Sequence, residues 1–180
     1  MAGDERIRLF CALRLPEPAL DALGTWQREH VPGAGAPGTR PVPRENLHVT
    51  LAFLGSRPAA DVPAITEALS AAAAAAGRIV LAPKRYRETR GVGMVVLDDV
   101  TGAATALAGD VQARLEGAGL YRREQRPWLP HVTVLRFRER PRLRATVEGI
   151  ANICPSDSAV MVSVPSPGGA RYEVLGDAAL

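Results

Sequence analysis

The tetrad His48-Val49-Thr50-Leu51 returns 83 residues later as His131-Val132-Thr133-Val134. Each copy heads a run dominated by apolar, β-branched and aromatic residues, Leu47 to Leu54 and Val132 to Phe137, which reads as buried strand. The chain must therefore build two alike strands that each carry a histidine and a hydroxyl. Side chains alternate along a strand, so His48 and Thr50 share one face, roughly 6–7 Å apart, as do His131 and Thr133. Val49, Leu51, Val132 and Val134 then point the other way, into a core.

The chain has only three histidines, so two of the three head this repeat. A lone His-x-Thr on a strand is usually a structural histidine. Two copies in matching contexts point instead to a duplicated acid–base site, because imidazole is the side chain that exchanges a proton near neutrality. His30, ahead of Val31-Pro32-Gly33, is expected at a solvent-facing helix end and takes no role.

A length of 180 residues fits one domain or two small fused lobes. An apolar content of 47% with 23% charged residues is that of an ordinary globular chain. The net charge of +3 leans toward an anionic partner, with basic residues at Lys84-Arg85-Tyr86-Arg87, at Arg122-Arg123, and from Arg136 to Arg144. Cys11 and Cys154 have no metal-ligand spacing and need not pair, and Cys11 lies in an apolar run as a small core residue. The charged start, with Asp4, Glu5, Arg6 and Arg8, lacks a signal-peptide core, and no apolar run reaches membrane-span length. A cytoplasmic protein is the expectation, a monomer with no membrane or protein partner.

Local patterns predict the elements. Ile7 to Leu15 reads as a strand, and Pro16 and Pro18 open a helix that carries Leu20, Leu23 and Gln27 at helical spacing to about His30. A Gly/Pro-rich loop follows from Val31 to Pro43. Val62 to Ala76 reads as a helix. Ile79 to Leu81 and Met94 to Leu97 read as strands separated by the basic loop and Gly91/Gly93. Thr101 is placed as the cap of a helix ending at Gly117 or Gly119, with Leu107, Val111 and Leu115 on one face. Tyr121 to Pro130 is a polar loop delivering the second motif strand, and Arg142 to Ile153 is expected as a further helix. Val160 to Val164 and Arg171 to Leu175 form a terminal hairpin. The order repeats itself, which predicts two similar α+β lobes facing each other with the His-x-Thr faces lining the cleft.

Such a pair of histidines suits in-line displacement at phosphorus. One neutral imidazole deprotonates water while the other, protonated, supplies the leaving oxygen, each transfer contributing about 10²–10⁴ in rate. Thr50 and Thr133 are suited to hydrogen-bond the non-bridging phosphate oxygens. Arg136 can add a charge-assisted fork, although strict alternation puts it on the opposite face from His131. Zinc chemistry wants three or four ligands, and two isolated histidines do not supply them. There is no Gly-x-Ser-x-Gly elbow and no Walker-type loop.

Asn46-Leu47-His48-Val49-Thr50-Leu51-Ala52-Phe53-Leu54-Gly55 and Pro130-His131-Val132-Thr133-Val134-Leu135-Arg136 resemble the paired motifs of the 2H phosphoesterase superfamily. Within it the chain is most similar to the bacterial and archaeal RNA 2′,3′-cyclic phosphodiesterases, historically called 2′-5′ RNA ligases. The opening Arg8-Leu9-Phe10-Cys11-Ala12-Leu13 and the closing run from Ser163 to Tyr172 fit that branch, so the likeness spans nearly the whole chain.

The resemblance implies an α+β fold of two pseudo-symmetric lobes, each an antiparallel sheet with outer helices, forming one bilobal domain over 1–180. It implies hydrolysis of RNA or nucleoside 2′,3′-cyclic phosphates to 2′-phosphomonoesters without metal or cofactor, and weak reversible action on 2′-5′ RNA linkages. It carries over His48, Thr50, His131 and Thr133 as catalytic residues and Arg136 as a phosphate contact. A 2′ product requires protonation of the 3′ oxygen, and His48 is assigned as that acid with His131 as base, the pseudo-symmetry allowing the reverse. Trp128 and Phe53 are candidates to stack a base, although core packing is the favoured reading for Phe53. The branch commonly has an aromatic residue at Pro41, a proline at Arg44 and a basic residue at Leu129, departures that bear on recognition of the substrate end. Two other readings stand beside the enzyme: a non-catalytic RNA-end or nucleotide-binding module, and a phosphodiesterase for a small cyclic phosphate of ADP-ribose type.

Overall fold

The computed structural model describes residues 5–31 and 38–180; Asp4 and residues 32–37 of the Gly/Pro-rich loop expected from Val31 to Pro43 lie outside them, and Thr39–Pro41 of that loop is instead a short strand. The strands are β1 (Arg6–Arg14), β2 (Thr39–Pro41), β3 (His48–Pro58), β4 (Leu81–Glu88), β5 (Val92–Asp99), β6 (His131–Phe137), β7 (Asp157–Ser166) and β8 (Gly169–Ala179). The helices are α1 (Glu17–His30), α2 (Val62–Ala73) and α3 (Ala103–Gly117). All strand pairs are antiparallel, in the order β4-β5-β6-β3-β1-β7-β8, with β2 added to β6.

The sheet has a seam. β3 and β6 meet at the single register pair Val49–Val132, whereas their outer neighbours, β1 on β3 and β5 on β6, are paired at length. An antiparallel pair has a local two-fold axis through its centre, and here that axis relates residue 49 to residue 132. It therefore exchanges the two tetrads, β3 with β6 and β1 with β5, which are the two lobes expected from the repeat.

One face of the sheet buries the main core. Leu9, Cys11, Leu13, Val49, Leu51, Val132 and Val134 are almost fully buried there, packed with Leu23 and Trp26 of α1, Ile65 and Leu69 of α2, and Leu107, Val111 and Leu115 of α3. Truncating a leucine such as Leu23 or Leu69 to alanine costs about 2–5 kcal/mol at such sites. Burial drives the Cys11 thiol up to about 12, consistent with an inert core residue.

Three expectations are corrected. Lys84 to Arg87 is not a loop but part of β4, paired along β5 from Leu81 to Glu88. Thr101 does not cap α3 in the usual way. Gly102, with φ of 74°, holds the cap position, and the Asp99 carboxylate accepts from the Thr105 N–H at 2.7 Å. The stretch 142–153 forms no helix. Its backbone groups are used elsewhere: the Arg142 and Leu143 N–H groups donate to the Glu88 carboxylate, Ile153 bridges to Leu81, and the Thr146 carbonyl accepts from the Trp26 indole. Pro141 precedes it and a left-handed Arg142 (φ 56°) opens it, a poor start for a helix.

Tyr86 of β4 lies across Gly93 of β5 and meets Trp26 of α1 with ring centroids 5.3 Å apart. A Cβ at Gly93 would stand 2.9 Å from Tyr86 ring carbons. Gly93→Ala is expected to destabilise the fold by about 1–3 kcal/mol through overpacking, a shift that thermal unfolding would register.

Candidate active site

The seam register decides how the two motifs meet. With Val49 opposite Val132, His48 falls opposite Thr133 and Thr50 opposite His131. The four side chains thus form a two-by-two patch on the face away from the main core, each histidine beside the other strand's threonine. Positive charge at His131 acts on His48, which fits this adjacency.

Both rings are held by their own strand entry. The Nδ1 of His48 lies 2.7 Å from the Asn46 carbonyl oxygen, and that of His131 lies 2.8 Å from the Leu129 carbonyl oxygen. A carbonyl only accepts, so in each ring Nδ1 carries the proton and Nε2 is the working nitrogen. The His48 Nε2 lies 3.1 Å from Thr50 Oγ1, whose hydroxyl donates to it while the ring is neutral.

The two histidines differ in surroundings. His48 is packed by Phe10 and Tyr172, with ring centroids 4.9 and 5.4 Å away. Phe10, Ala12, Ala159 and Met161 make a small apolar cluster on this face, with Tyr172 against it. His131 lines the open cavity. Burial pushes the His48 imidazole down to about 4; the Asn46 carbonyl opposes that shift, and positive charge at His131 and Arg136 adds to it.

A histidine depressed below its unfolded value contributes stability that is fully present above about pH 6.5 and is lost as pH falls toward 4. The loss attributable to His48 is on the order of 3 kcal/mol. Urea unfolding at pH 7 and pH 4.5 is expected to show a larger stability drop in the wild type than in His48→Ala.

Arg136 is delivered by a β-bulge. Along β6, Thr133 pairs with Met94 and Leu135 with Gly93, so Val134 is an extra residue in the ladder. Leu135 is turned into the core and Arg136 outward, reversing the face expected from strict alternation. Its charge reaches His48. The equivalent bulge occurs in β3, where Thr50 pairs with Ala12 and Ala52 with Cys11, leaving Leu51 extra. Ala52 is buried, and Phe53 emerges 50% exposed with the Arg8 guanidinium 5.8 Å from its ring centre. Core packing, the favoured reading for Phe53, is therefore overturned.

A cavity of about 640 Å³ opens beside His131 and Thr50, lined also by Phe53, Arg87, Trp128 and Leu129. The Trp128 indole donates to the Thr50 carbonyl at 2.9 Å, tying the polar loop to the first motif strand. The structure thus brings His48, His131, Thr50, Thr133 and Arg136 together, and sets Trp128 and Phe53 at the cavity on one flank. His30 stands apart, stacked on Trp26. Among the described residues no three His, Cys, Asp or Glu side chains converge as a metal-binding group. No helix there is long and apolar enough to cross a membrane.

Residues 13–89, which include the first tetrad, match the family model of the LigT-like phosphoesterases. The matched stretch is less than half of the chain, which is thus similar to this family over its first motif. The second tetrad lies outside the matched stretch, and its place comes from the fold. E. coli LigT in its apo form superposes with a TM-score of 0.79 at 25% identity, covering 98% of this chain and 99% of that one. The protein TT0787 of Thermus thermophilus gives 0.78 at 28% identity, covering 97% and 98%. E. coli LigT complexed with 3′-AMP gives 0.80 at 23% identity, covering 98% and 99%. No curated protein matches the chain by sequence. The chain accordingly has the two-lobed α+β fold of these phosphoesterases, with the seam between its lobes.

The sequence reading passed over Phe10, Tyr172 and Asn46 as site-building residues, and over Gln112. Asn46 carried a signal: a nearly buried asparagine just before the motif, which donates to the Ala170 carbonyl and so pins the β7–β8 hairpin beside His48. Gln27 and Gln112 carried another, as amides in helix stretches otherwise buried by apolar residues.

Proposed function

We propose that this LigT-like phosphoesterase hydrolyses 2′,3′-cyclic phosphates at RNA ends or on nucleosides to 2′-phosphomonoesters, without a metal. The observation that carries the reading is the two-by-two patch at the seam, where two imidazoles present Nε2 and two hydroxyls flank them. Water attacks phosphorus from the side of one ring as the ribose 3′ oxygen leaves toward the other. Thr50, Thr133 and Arg136 hold the non-bridging oxygens, where charge accumulates in the transition state.

We assign His131 as base and His48 as acid. The packing around His48 favours its neutral form. An anionic cyclic phosphate beside it favours the protonated form, so the proton needed by the leaving oxygen is taken up with the substrate. Phe53 and Trp128 offer flat faces for a nucleobase. E. coli LigT has been crystallised with 3′-AMP, NADP+ and ATP, which supports a nucleotide as the ligand class.

The test compares an oligoribonucleotide ending in a 2′,3′-cyclic phosphate with an ADP-ribose cyclic phosphate, both in excess EDTA. The expected result is undiminished turnover in chelator and a higher kcat/KM on the RNA end. Binding of the RNA end with no product would instead indicate a recognition module, and preference for the ADP-ribose compound would move the substrate class.

A further inference from the structure

We propose that Gln27 and Gln112 are positioning residues, each fixing the β-bulge that turns one substrate-facing side chain, Arg136 or Phe53, onto the His/Thr face. The proposal rests on the functional reading above, since it assigns those two side chains to the ligand. Regular alternation would send residue 136 to the face opposite His131, and residue 53 to the face opposite His48. An extra residue ahead of each, Val134 before Arg136 and Leu51 before Phe53, reverses the alternation at these two positions.

A bulged residue lies outside the ladder to the neighbouring strand, so its buried carbonyl needs a partner from elsewhere. At Val134 that carbonyl accepts from Gln27 Nε2 at 2.7 Å and from the Val42 N–H at 3.0 Å. At Leu51 it accepts from Gln112 Nε2 at 2.8 Å. Gln27 and Gln112 are only 8% and 9% exposed, in helix stretches where leucine or methionine would fill the space.

The arrangement occurs twice, under the same two-fold relation as the tetrads. α1 follows β1 and α3 follows β5, strands that the axis exchanges. Each helix reaches across: α1 holds the bulge of β6, and α3 holds the bulge of β3. In both lobes the buried amide reaches the bulge carbonyl, and Gln27 Nε2 also donates to the Val42 carbonyl at 2.9 Å, tying the segment beside the bulge to the same group. Each amide thereby links one lobe's helix to the other lobe's cleft strand.

Double-mutant cycles test this. Gln27→Met and Arg136→Ala are compared singly and together, with Gln112→Met and Phe53→Ala as the second cycle. Affinity for 3′-AMP by calorimetry and kcat/KM on a 2′,3′-cyclic mononucleotide are both read. The expected result is a roughly tenfold loss for each single change. The Gln27→Met/Arg136→Ala pair should then be no worse than Arg136→Ala alone, and likewise for the Gln112–Phe53 pair. The crossed pair, Gln27→Met with Phe53→Ala, should multiply. Multiplying losses within each cycle would overturn the proposal, as would Met variants that do not fold, since the bond would then serve the core alone. The binding readout needs no turnover. An inert protein that still shows the coupling would therefore sink the functional reading and leave this one standing.

Discussion

Alanine in place of either His48 or His131 is expected to lower kcat on a 2′,3′-cyclic mononucleotide by about 10²–10⁴, the contribution of one proton transfer. The argument is geometric. Each ring is oriented by a carbonyl on Nδ1, and the seam register sets each beside the other strand's threonine. Loss of either group leaves water without a base or the 3′ oxygen without an acid, and the remaining histidine cannot serve both ends of an in-line displacement. The double variant should fall little further than the worse single one, because groups acting in one step are strongly non-additive. Steady-state kinetics on folded variants checks this; near-normal activity in either single variant would remove the paired mechanism. His48→Ala also vacates the space against Phe10 and Tyr172, so its thermal stability must be measured alongside.

Thr50→Val and Thr133→Val are expected to lower kcat by about 10²–10³ each with little change in KM, as when a donor to developing phosphate charge is removed. Valine preserves the β-branched shape and the strand, and takes away only the hydroxyl. Thr50 has a second task, donating to the His48 Nε2 at 3.1 Å. Thr50→Val therefore also removes the partner of that nitrogen and should shift the pH dependence of kcat/KM more than Thr133→Val does. Equal pH profiles with unchanged kcat in both variants would mean that the hydroxyls only stabilise the strands.

What could be read from the sequence was what depends on short-range pattern. Alternation around Val49 and Val132 gave the buried and exposed faces correctly, and both residues are almost fully buried. The 83-residue repeat gave the pseudo-symmetry, because an antiparallel pair with 49 opposite 132 is its structural expression. The same rule of alternation misplaced Arg136, and it could not show Phe53 on the cleft face. An inserted residue in each ladder, Leu51 or Val134, inverts the side chains directly after it, and nothing local in Thr-Leu-Ala or Thr-Val-Leu announces a bulge. The absent helix at 142–153 fails for a related reason. Helical propensity there yields to a long-range pairing, Ile153 exchanging backbone hydrogen bonds with Leu81, and to the left-handed Arg142 that breaks a first turn.

Among the family's expectations, the substitution of Leu129 where a basic residue is frequent acquires a place. Leu129 lines the cavity beside His131 and is 38% exposed, while Arg87 lines the same cavity from β4. Arg44, where the branch usually has proline, is held by Glu17 at 2.6 Å and Asp21 at 2.7 Å, a solvent-exposed cluster on α1. It secures the approach to β3 and is worth little on its own.

The most direct measurement is chromatographic separation of the 2′- and 3′-monophosphates formed from a nucleoside 2′,3′-cyclic phosphate by the chelator-treated wild-type protein. The account predicts turnover to the 2′-monophosphate alone, because the proton is delivered only to the 3′ oxygen. No turnover, or release of the 3′-monophosphate, would contradict it.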